Sequence, residues 1–95
     1  MQSTSMYHER LALYAKAMAH PVRIFILETL VAEGEMLSGV LFERLNIARS
    51  TLSQHLKELK EVGLINGKEE PPKIYYSINV KNWNEAKQML NTFFK

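Results

Sequence analysis

The segment from Arg49 to Gly63 constrains the fold more than any other, because it combines a long amphipathic helix with an abrupt end. At about 100° per residue, one arc of this predicted helix, which runs to Val62, is apolar apart from a single histidine. The arc consists of Leu52, His55, Leu56, Leu59 and Val62. Gly63 suits the left-handed conformation that ends many helices, and Leu64 and Ile65 then begin a strand. The chain therefore has to bury this arc and turn directly into a sheet.

Three further helices are predicted upstream from apolar residues at helical spacing. The first covers Met6 to Met18, and the second runs from Pro21 to about Ala32 and ends near Gly34. His20 stands in the capping position of the second helix, whose first residue is a proline that loses no hydrogen bond there. A shorter third helix fits Ser38 to Leu45, with its first residue as the cap.

Downstream of Gly63, the cluster from Asn66 to Pro72 is rich in residues that interrupt regular structure, which predicts a loop tip. Every second residue from Ile74 to Val80 is aliphatic or aromatic, which is the period of a half-buried strand. A last helix is predicted to start at Asn82, which caps it while Glu85 completes a capping box.

These elements predict a mostly α fold with a small, two-stranded β-hairpin, in the order α-α-α-α-β-β-α. That is the order of a winged helix-turn-helix domain. With 95 residues, 46% of them hydrophobic and 23% charged, the whole chain 1–95 is expected to form one such domain. A domain of this size buries little of its surface, so a second copy would be a natural source of stability.

Composition excludes several classes of function. The absence of cysteine excludes disulfides, thiolate metal ligands and thiol redox sensing, and all 10 acidic residues are glutamates. Ser53 and His55 point in different directions from one helix, so we predict no enzyme activity. No apolar run approaches the ~20 residues of a membrane span, and the first residues lack the features of a signal peptide. We therefore expect a cytoplasmic protein with no membrane contact.

The arc opposite the apolar one carries hydroxyl, amide and cationic side chains. Its members are Arg49, Ser50, Thr51, Ser53, Gln54, Lys57 and Lys60. The major groove of B-form DNA admits one α-helix, whose first turns read base edges while nearby cations meet phosphates. Any amphipathic helix has a polar outer face, but a short helix before it and a hairpin after it favour double-stranded DNA as the partner.

Two stretches resemble the signature sequences of the ArsR-type transcriptional repressors. They are Ala17 to Leu27 and Ser50 to Ile65, and Ile74 to Ile78 resembles the return strand of that family's wing. The resemblance covers roughly residues 7 to 95 and implies a homodimer that binds an imperfect palindrome and blocks transcription. It also implies that Ser50, Thr51, Ser53, Gln54 and Lys57 face DNA, and that Arg49 stands where the family often has a polar base-contacting residue.

The chain departs from that family at two places. Ala48 stands where the family often has a capping serine or threonine, so any side-chain cap would come from Asn46 or Ser50. The wing tip carries Glu69 and Glu70, which repel phosphate. The remaining candidates for DNA contact by the wing are Lys68 and Lys73.

Apolar side chains on the first and last helices predict where a second copy would pack. They are Tyr7, Leu11, Tyr14, Met18, Trp83, Leu90, Phe93 and Phe94. The alternative interpretation is a small-molecule pocket between these helices. We favour the dimer, because two apolar helices at opposite ends of a small domain suit a two-fold interface. No particular effector is predicted.

No metal site or other cofactor is predicted. ArsR-type proteins commonly sense metals through cysteines on the DNA-binding helices or through aspartate and histidine on the last helix, and this chain has neither. Its histidines lack the i, i+4 spacing of a helical metal site. We interpret His20 as a helix cap, His55 as packing at the edge of the core and His8 as a surface residue.

A second class of function fits some of the same residues. A winged helix without specific DNA binding could instead contact a protein through the polar face of the long helix and the acidic wing. The weak net charge of +2 favours this alternative. The acidic residues that favour it are Glu58, Glu61, Glu69 and Glu70.

Overall fold

A computed structural model describes residues 3–95, and in that part of the chain five helices and a three-stranded antiparallel sheet form the fold. In chain order these are α1 (Met6–Met18), α2 (Pro21–Glu33), β1 (Met36–Leu37), α3 (Ser38–Glu43), α4 (Arg49–Glu61), β2 (Ile65–Glu70), β3 (Lys73–Ile78) and α5 (Val80–Phe93). The predicted winged helix-turn-helix order is confirmed. The sheet has one strand more than the predicted hairpin.

The first two helices begin as their capping residues dictate. Ser5 and His8 form a reciprocal capping box, in which each side chain accepts a hydrogen bond from the other's backbone N–H. His20 Nδ1 accepts from the backbone N–H of Val22 at 3.1 Å, which confirms its role as the cap of α2. That helix ends at Glu33, and Gly34 follows with a φ of 82°.

Strand β1 is the element that the sequence pattern does not reveal. Met36 pairs with Tyr76 and Leu37 with Tyr75, which places β1 beside β3. This pairing also corrects the start of α3, because Leu37 holds the capping position with extended backbone and Ser38 is the first helical residue instead of the cap. The helix is shorter than predicted and ends at Glu43.

The wing corrects the prediction of a long loop. The cluster expected to be irregular lies mostly in β2, and only Pro71 and Pro72 remain as the turn. The register runs from Ile65 opposite Ile78 to Glu70 opposite Lys73. The strand order is β1-β3-β2, so β2 is an edge strand, where charged side chains are favoured because they discourage pairing with other chains.

Helix α5 starts earlier than predicted. Its cap is Asn79, whose Oδ1 accepts from the backbone N–H of Asn82 at 3.2 Å, and Val80 is helical. Asn82, the predicted cap, instead donates from Nδ2 to the carbonyl oxygen of Gly63 at 2.9 Å. Glu85 completes no capping box, because its carboxylate binds Tyr14 and Arg10 on α1.

The core joins all of the helices to the base of the sheet. Its fully buried members include Ile26, Leu27 and Leu30 of α2, Leu41 of α3, Leu59 of α4 and Ile65 of β2. Each such side chain contributes roughly 1.5 to 3 kcal/mol when removed from water. Within residues 3–95, no helix has the length and apolar character needed to cross a bilayer.

Candidate nucleic-acid interface

Helix α4 is held to the domain by the arc that the sequence predicts. Leu52, His55, Leu56 and Leu59 are buried, and Val62 is half-buried. Helix α4 contacts α1, α2 and β2. Helix α3 precedes it and the hairpin of β2 and β3 follows it, so one side of α4 is fixed and the other faces outward.

The outward side brings the predicted DNA-facing residues together. All seven are exposed on α4: Arg49, Ser50, Thr51, Ser53, Gln54, Lys57 and Lys60. Hydroxyl and guanidinium groups occupy the first turns, and both lysines lie in the second half of the helix. The surface therefore offers hydrogen-bonding groups at one end and positive charge towards the other.

Two glutamates share this surface and contact its polar residues. Gln54 donates from Nε2 to Glu58 at 2.9 Å, and Lys57 Nζ lies 3.9 Å from a carboxylate oxygen of Glu61. Exposed pairs of this kind contribute little, typically about 0 to 1 kcal/mol, because water solvates both partners. Gln54 and Lys57 can therefore exchange these contacts for a more strongly bound partner at little cost in free energy.

The start of α4 has no side-chain cap. Ala48 occupies the capping position, and neither Asn46 nor Ser50 substitutes for the missing hydroxyl. The backbone N–H groups of the first turn therefore have no side-chain acceptor. Arg49, the first helical residue, places its guanidinium over the ring of Phe42 from α3, with its Cζ 4.1 Å from the ring centroid.

The wing carries balanced charge. Lys68 Nζ lies 3.0 Å from Oε2 of Glu70, and this hydrogen bond and ion pair raise the pKa of Lys68. Glu69 is also exposed, and Lys73 stands opposite Glu70 on β3. One of the two predicted wing cations thus already has a carboxylate partner inside the wing.

Arg23 is a structural residue of this site that the sequence does not single out. Its Nε donates to His55 Nδ1 at 2.9 Å, and its Nη1 donates to the carbonyl oxygen of Ala17 at 3.3 Å. The ring of His20 lies against that of His55, with 4.2 Å between the ring centroids and 49° between the ring planes. These contacts join α1, α2 and α4, and the one signal in the sequence is an arginine within the otherwise apolar first half of α2.

Comparison with known proteins agrees with this geometry. Residues 18–68, more than half of the chain, match the family described as "Helix-turn-helix domain". The chain is 41% identical to nodulation protein NolR of Rhizobium meliloti over 67% of its length, and 39% identical to the biofilm growth-associated repressor of Agrobacterium fabrum over 70%. The matched segments span only 52% and 56% of those two relatives, about half of their length.

A solved structure extends the likeness to nearly the whole fold. HlyU of Vibrio cholerae, named a transcriptional activator, superposes with a TM-score of 0.77 at 31% identity. The superposition covers 95% of this chain and 94% of HlyU. This chain belongs to the ArsR-type winged helix-turn-helix family.

In this ArsR-type protein, the two terminal helices α1 and α5 pack on each other within the chain. Leu11 and Tyr14 of the predicted dimer surface are buried there, and the Tyr14 hydroxyl donates to Glu85 at 2.7 Å. The half-buried members of the set are Tyr7, Met18, Trp83 and Leu90. Phe93 and Phe94, the last two, are 63% and 72% exposed. The set therefore divides into residues that are buried within the chain and residues that remain accessible to a partner.

An apolar groove of about 390 Å³ runs between the end of α1 and the length of α5 in the ArsR-type domain. It is lined by Met18, Trp83, Ala86, Lys87, Leu90 and Asn91. The groove combines the two predictions made for this region, because a second copy or a small apolar molecule could enter it. Among residues 3–95 no three potential metal ligands come together.

Proposed function

We propose that this chain is a sequence-specific DNA-binding regulator of transcription that binds an inverted repeat as a homodimer. One observation supports it above the others: α4 buries Leu52, His55, Leu56 and Leu59 while it presents all of its short polar and cationic residues to solvent. A helix held this way, after α3 and before a hairpin, has the form that enters the major groove.

Each part of the surface has a role in this proposal. Ser50, Thr51, Ser53 and Gln54 lie near the start of α4, where recognition helices contact base edges. Lys57 and Lys60 meet phosphates, which supply affinity without sequence information. Lys68 and Lys73 contribute less, because the wing also carries two glutamates.

Repression by occupancy of the operator is the proposed outcome, in a cytoplasmic protein. The supporting observation is that a relative of 39% identity is named a repressor. HlyU, which is named an activator, indicates that the same fold also serves activation. Activation of transcription is therefore the alternative outcome.

Selection from random DNA duplexes tests the central proposal. At moderate salt, the selected duplexes should contain an inverted repeat with half-sites about one helical turn, roughly 34 Å, apart. Failure to enrich any inverted repeat would contradict the proposal. Gln54→Ala should relax base preference at a position of each half-site, because the amide is replaced by a methyl group.

A matched pair of lysine variants separates phosphate contact from general charge. Lys57→Ala should make the plot of log binding constant against log salt concentration less steep, by about one unit of slope per subunit, because one phosphate contact is lost. Lys16→Ala removes the same charge from an exposed position on α1 and should leave the salt dependence unchanged. Equal effects of both variants would show that α4 has no privileged contact with DNA.

A winged helix that binds a protein is the second candidate. Four glutamates favour it, since carboxylates weaken attraction to phosphate: Glu61, Glu69 and Glu70, which are exposed, and Glu58, which is half-buried. The same selection distinguishes the candidates, because a protein-binding module would enrich no operator.

We propose that binding to the operator needs no metal and that the chain is not an enzyme. The histidines support this, because His20 caps α2 and His55 accepts a hydrogen bond from Arg23. DNA affinity that fell sharply with stoichiometric zinc or arsenite, and recovered with a chelator, would overturn it.

A further inference from the structure

Arg49 differs from the other three arginines of the chain. Arg10 pairs with Glu85, Arg44 pairs with Glu33, and Arg23 donates to His55. In the part of the chain that the structure describes, no carboxylate pairs with Arg49. Its contact is with the face of Phe42, where its Cζ lies 4.1 Å from the ring centroid.

Phe42 provides a platform for this guanidinium. The ring is half-buried and packs against the core from α3, so its position is fixed by the fold. A cation within about 6 Å of a ring centroid is attracted by the ring's electron-rich face. A guanidinium is planar, and one that stacks on an aromatic face keeps the N–H donors along its edge available for hydrogen bonds.

The contact with Phe42 therefore places a guanidinium, with its fork of N–H donors, at the first residue of α4. The first turns of a recognition helix are the part that contacts base edges. Two parallel N–H donors match O6 and N7 of guanine, and arginine on guanine is the commonest specific contact in the major groove. Lys57 and Lys60 lack this planar edge and suit phosphate instead.

We infer that Arg49 reads a guanine in each half-site and that Phe42 is the positioning residue that orients its guanidinium. This inference rests on the proposed function, since it names the base that the same surface recognises. The ring narrows the range of Arg49 conformers before DNA arrives, so less side-chain freedom is lost on binding.

The test uses the selected operator with each guanine replaced in turn by 7-deazaguanine, which lacks the N7 acceptor. For the wild-type chain, one replacement per half-site should weaken binding at least about fivefold. Arg49→Ala should bind more weakly and show no further loss on that replacement. A contact with phosphate would leave the wild-type chain equally tight on every replaced duplex, which would overturn the inference.

Phe42 is tested by two variants of similar size. Phe42→Leu keeps an apolar side chain but removes the aromatic face, and it should weaken binding to the unmodified operator about two- to fivefold. Phe42→Tyr keeps the face and should bind like the wild-type chain. In the Arg49→Ala background, Phe42→Leu should have no additional effect, because there is no guanidinium to orient.

The outcomes separate this inference from the proposed function. If no inverted repeat is enriched, the proposed function fails and the guanine contact fails with it. If a repeat is enriched but Arg49→Ala is as sensitive to every replacement as the wild-type chain, only the inference fails. If Phe42→Leu weakens binding equally with and without Arg49, its role is packing and the positioning role is overturned.

Discussion

His55 shows how one residue ties α4 to the rest of the domain. Its Nδ1 accepts the hydrogen bond from Arg23 Nε at 2.9 Å, which leaves Nε2 to hold the single proton of the neutral ring. Burial, and next the nearby His20 and Arg23, lower its pKa below the usual value. A second proton would have to replace the hydrogen bond from Arg23.

This environment predicts a loss of stability in mild acid. Because folding lowers the pKa of His55, the unfolded chain binds more protons than the folded chain just below about pH 6.5. The free energy of unfolding should therefore decrease as the pH falls through that window, and His55 imposes no such penalty above it. Urea unfolding at about pH 5.5 and about pH 7.5 measures the difference.

Two glutamine variants identify the residue responsible. His55→Gln keeps an acceptor for Arg23 but cannot titrate, so its unfolding free energy should depend less on pH. His8→Gln is the comparison variant, because glutamine at this exposed position can also accept the hydrogen bond from the Ser5 backbone N–H, and it should change the pH dependence less than His55→Gln does. An unchanged pH dependence in His55→Gln would refute the assignment.

The burial of His55 is predictable from helical spacing, whereas its hydrogen bond is not. Position 55 falls within the apolar arc of α4, so its burial follows from the wheel. Arg23 lies 32 residues away in the chain, and only the crossing of α2 with α4 brings the two together. The contact of Arg49 with Phe42 is hidden in the same way, because it depends on the turn between α3 and α4.

Among the elements, α4 has the end that its local backbone geometry and hydrogen bonds determine most closely. The backbone N–H of Leu64 donates to the carbonyl of Leu59 at 3.1 Å, and that of Gly63 donates to Lys60 at 3.0 Å. This is the pattern that closes a helix on a residue with positive φ, and Gly63 has a φ of 82°. A Cβ there would lie 2.6 Å from Asn82 Nδ2.

Gly63→Ala should therefore destabilise the domain by about 2 to 3 kcal/mol, from backbone strain and from the lost contact with Asn82. Gly39→Ala is the matched control, since a Cβ at that helical position meets nothing within 4 Å and alanine favours helix. In an Asn82→Ala background, Gly63→Ala should lower the free energy of unfolding by less. The backbone strain at residue 63 remains, but there is no contact with Asn82 to lose. Denaturant unfolding of these variants, of Asn82→Ala alone and of the wild-type chain measures the costs, and equal costs for the two glycine changes would contradict the explanation.

The wing offers a prediction about affinity. Glu70→Gln removes a carboxylate and releases Lys68, so DNA binding at low salt should strengthen on the order of a few-fold. Its salt dependence should also become steeper. Glu9→Gln changes the net charge equally on α1 and should have little effect. If both variants bind alike in a titration of labelled operator, the wing lies away from the phosphates.

The boundaries of an element are predicted correctly where a local sequence signal decides them. They are predicted wrongly where contacts in the folded chain, such as strand pairing, decide them. Helix α1 begins and ends as its spacing indicates. Strand β1 has two residues, too few to show a period, and exists because β3 offers it a partner. The sequence favours Asn82 over Asn79 as the cap because Glu85 follows it by three residues, but in the folded chain Asn82 binds the carbonyl of Gly63 and Asn79 is the cap.

At the scale of the whole molecule, the most exposed part of the predicted dimer surface lies at the end of α5. Phe93 and Phe94 are exposed and stack edge to face, with 5.2 Å between ring centroids. Large exposed aromatic side chains are unusual on a monomer of this size and are enriched at interfaces. They continue the predicted dimer surface beyond Leu90.

Charge at these two positions should separate the proposed dimer without unfolding its subunits. Phe93→Glu with Phe94→Glu should sediment as a monomer while its helical circular dichroism is retained. Phe93→Leu with Phe94→Leu should remain dimeric, because an apolar surface is kept. A dimer that survives the glutamate changes would place the interface elsewhere. Removal of residues 83–95 is a poorer test, since it also takes Ala86 out of the core.

The hydrogen bond between Asn82 and Gly63 ties the start of α5 to the end of α4, with the Gly63 carbonyl oxygen 2.9 Å from Asn82 Nδ2. From there α4 extends for 13 residues, roughly 20 Å, to Arg49, and its buried arc holds it against α1, α2 and β2 along that length. In the proposed dimer, α4 therefore keeps a fixed position relative to the start of α5. The spacing between the two half-sites is then set by how the two copies pack on each other, remote from any base.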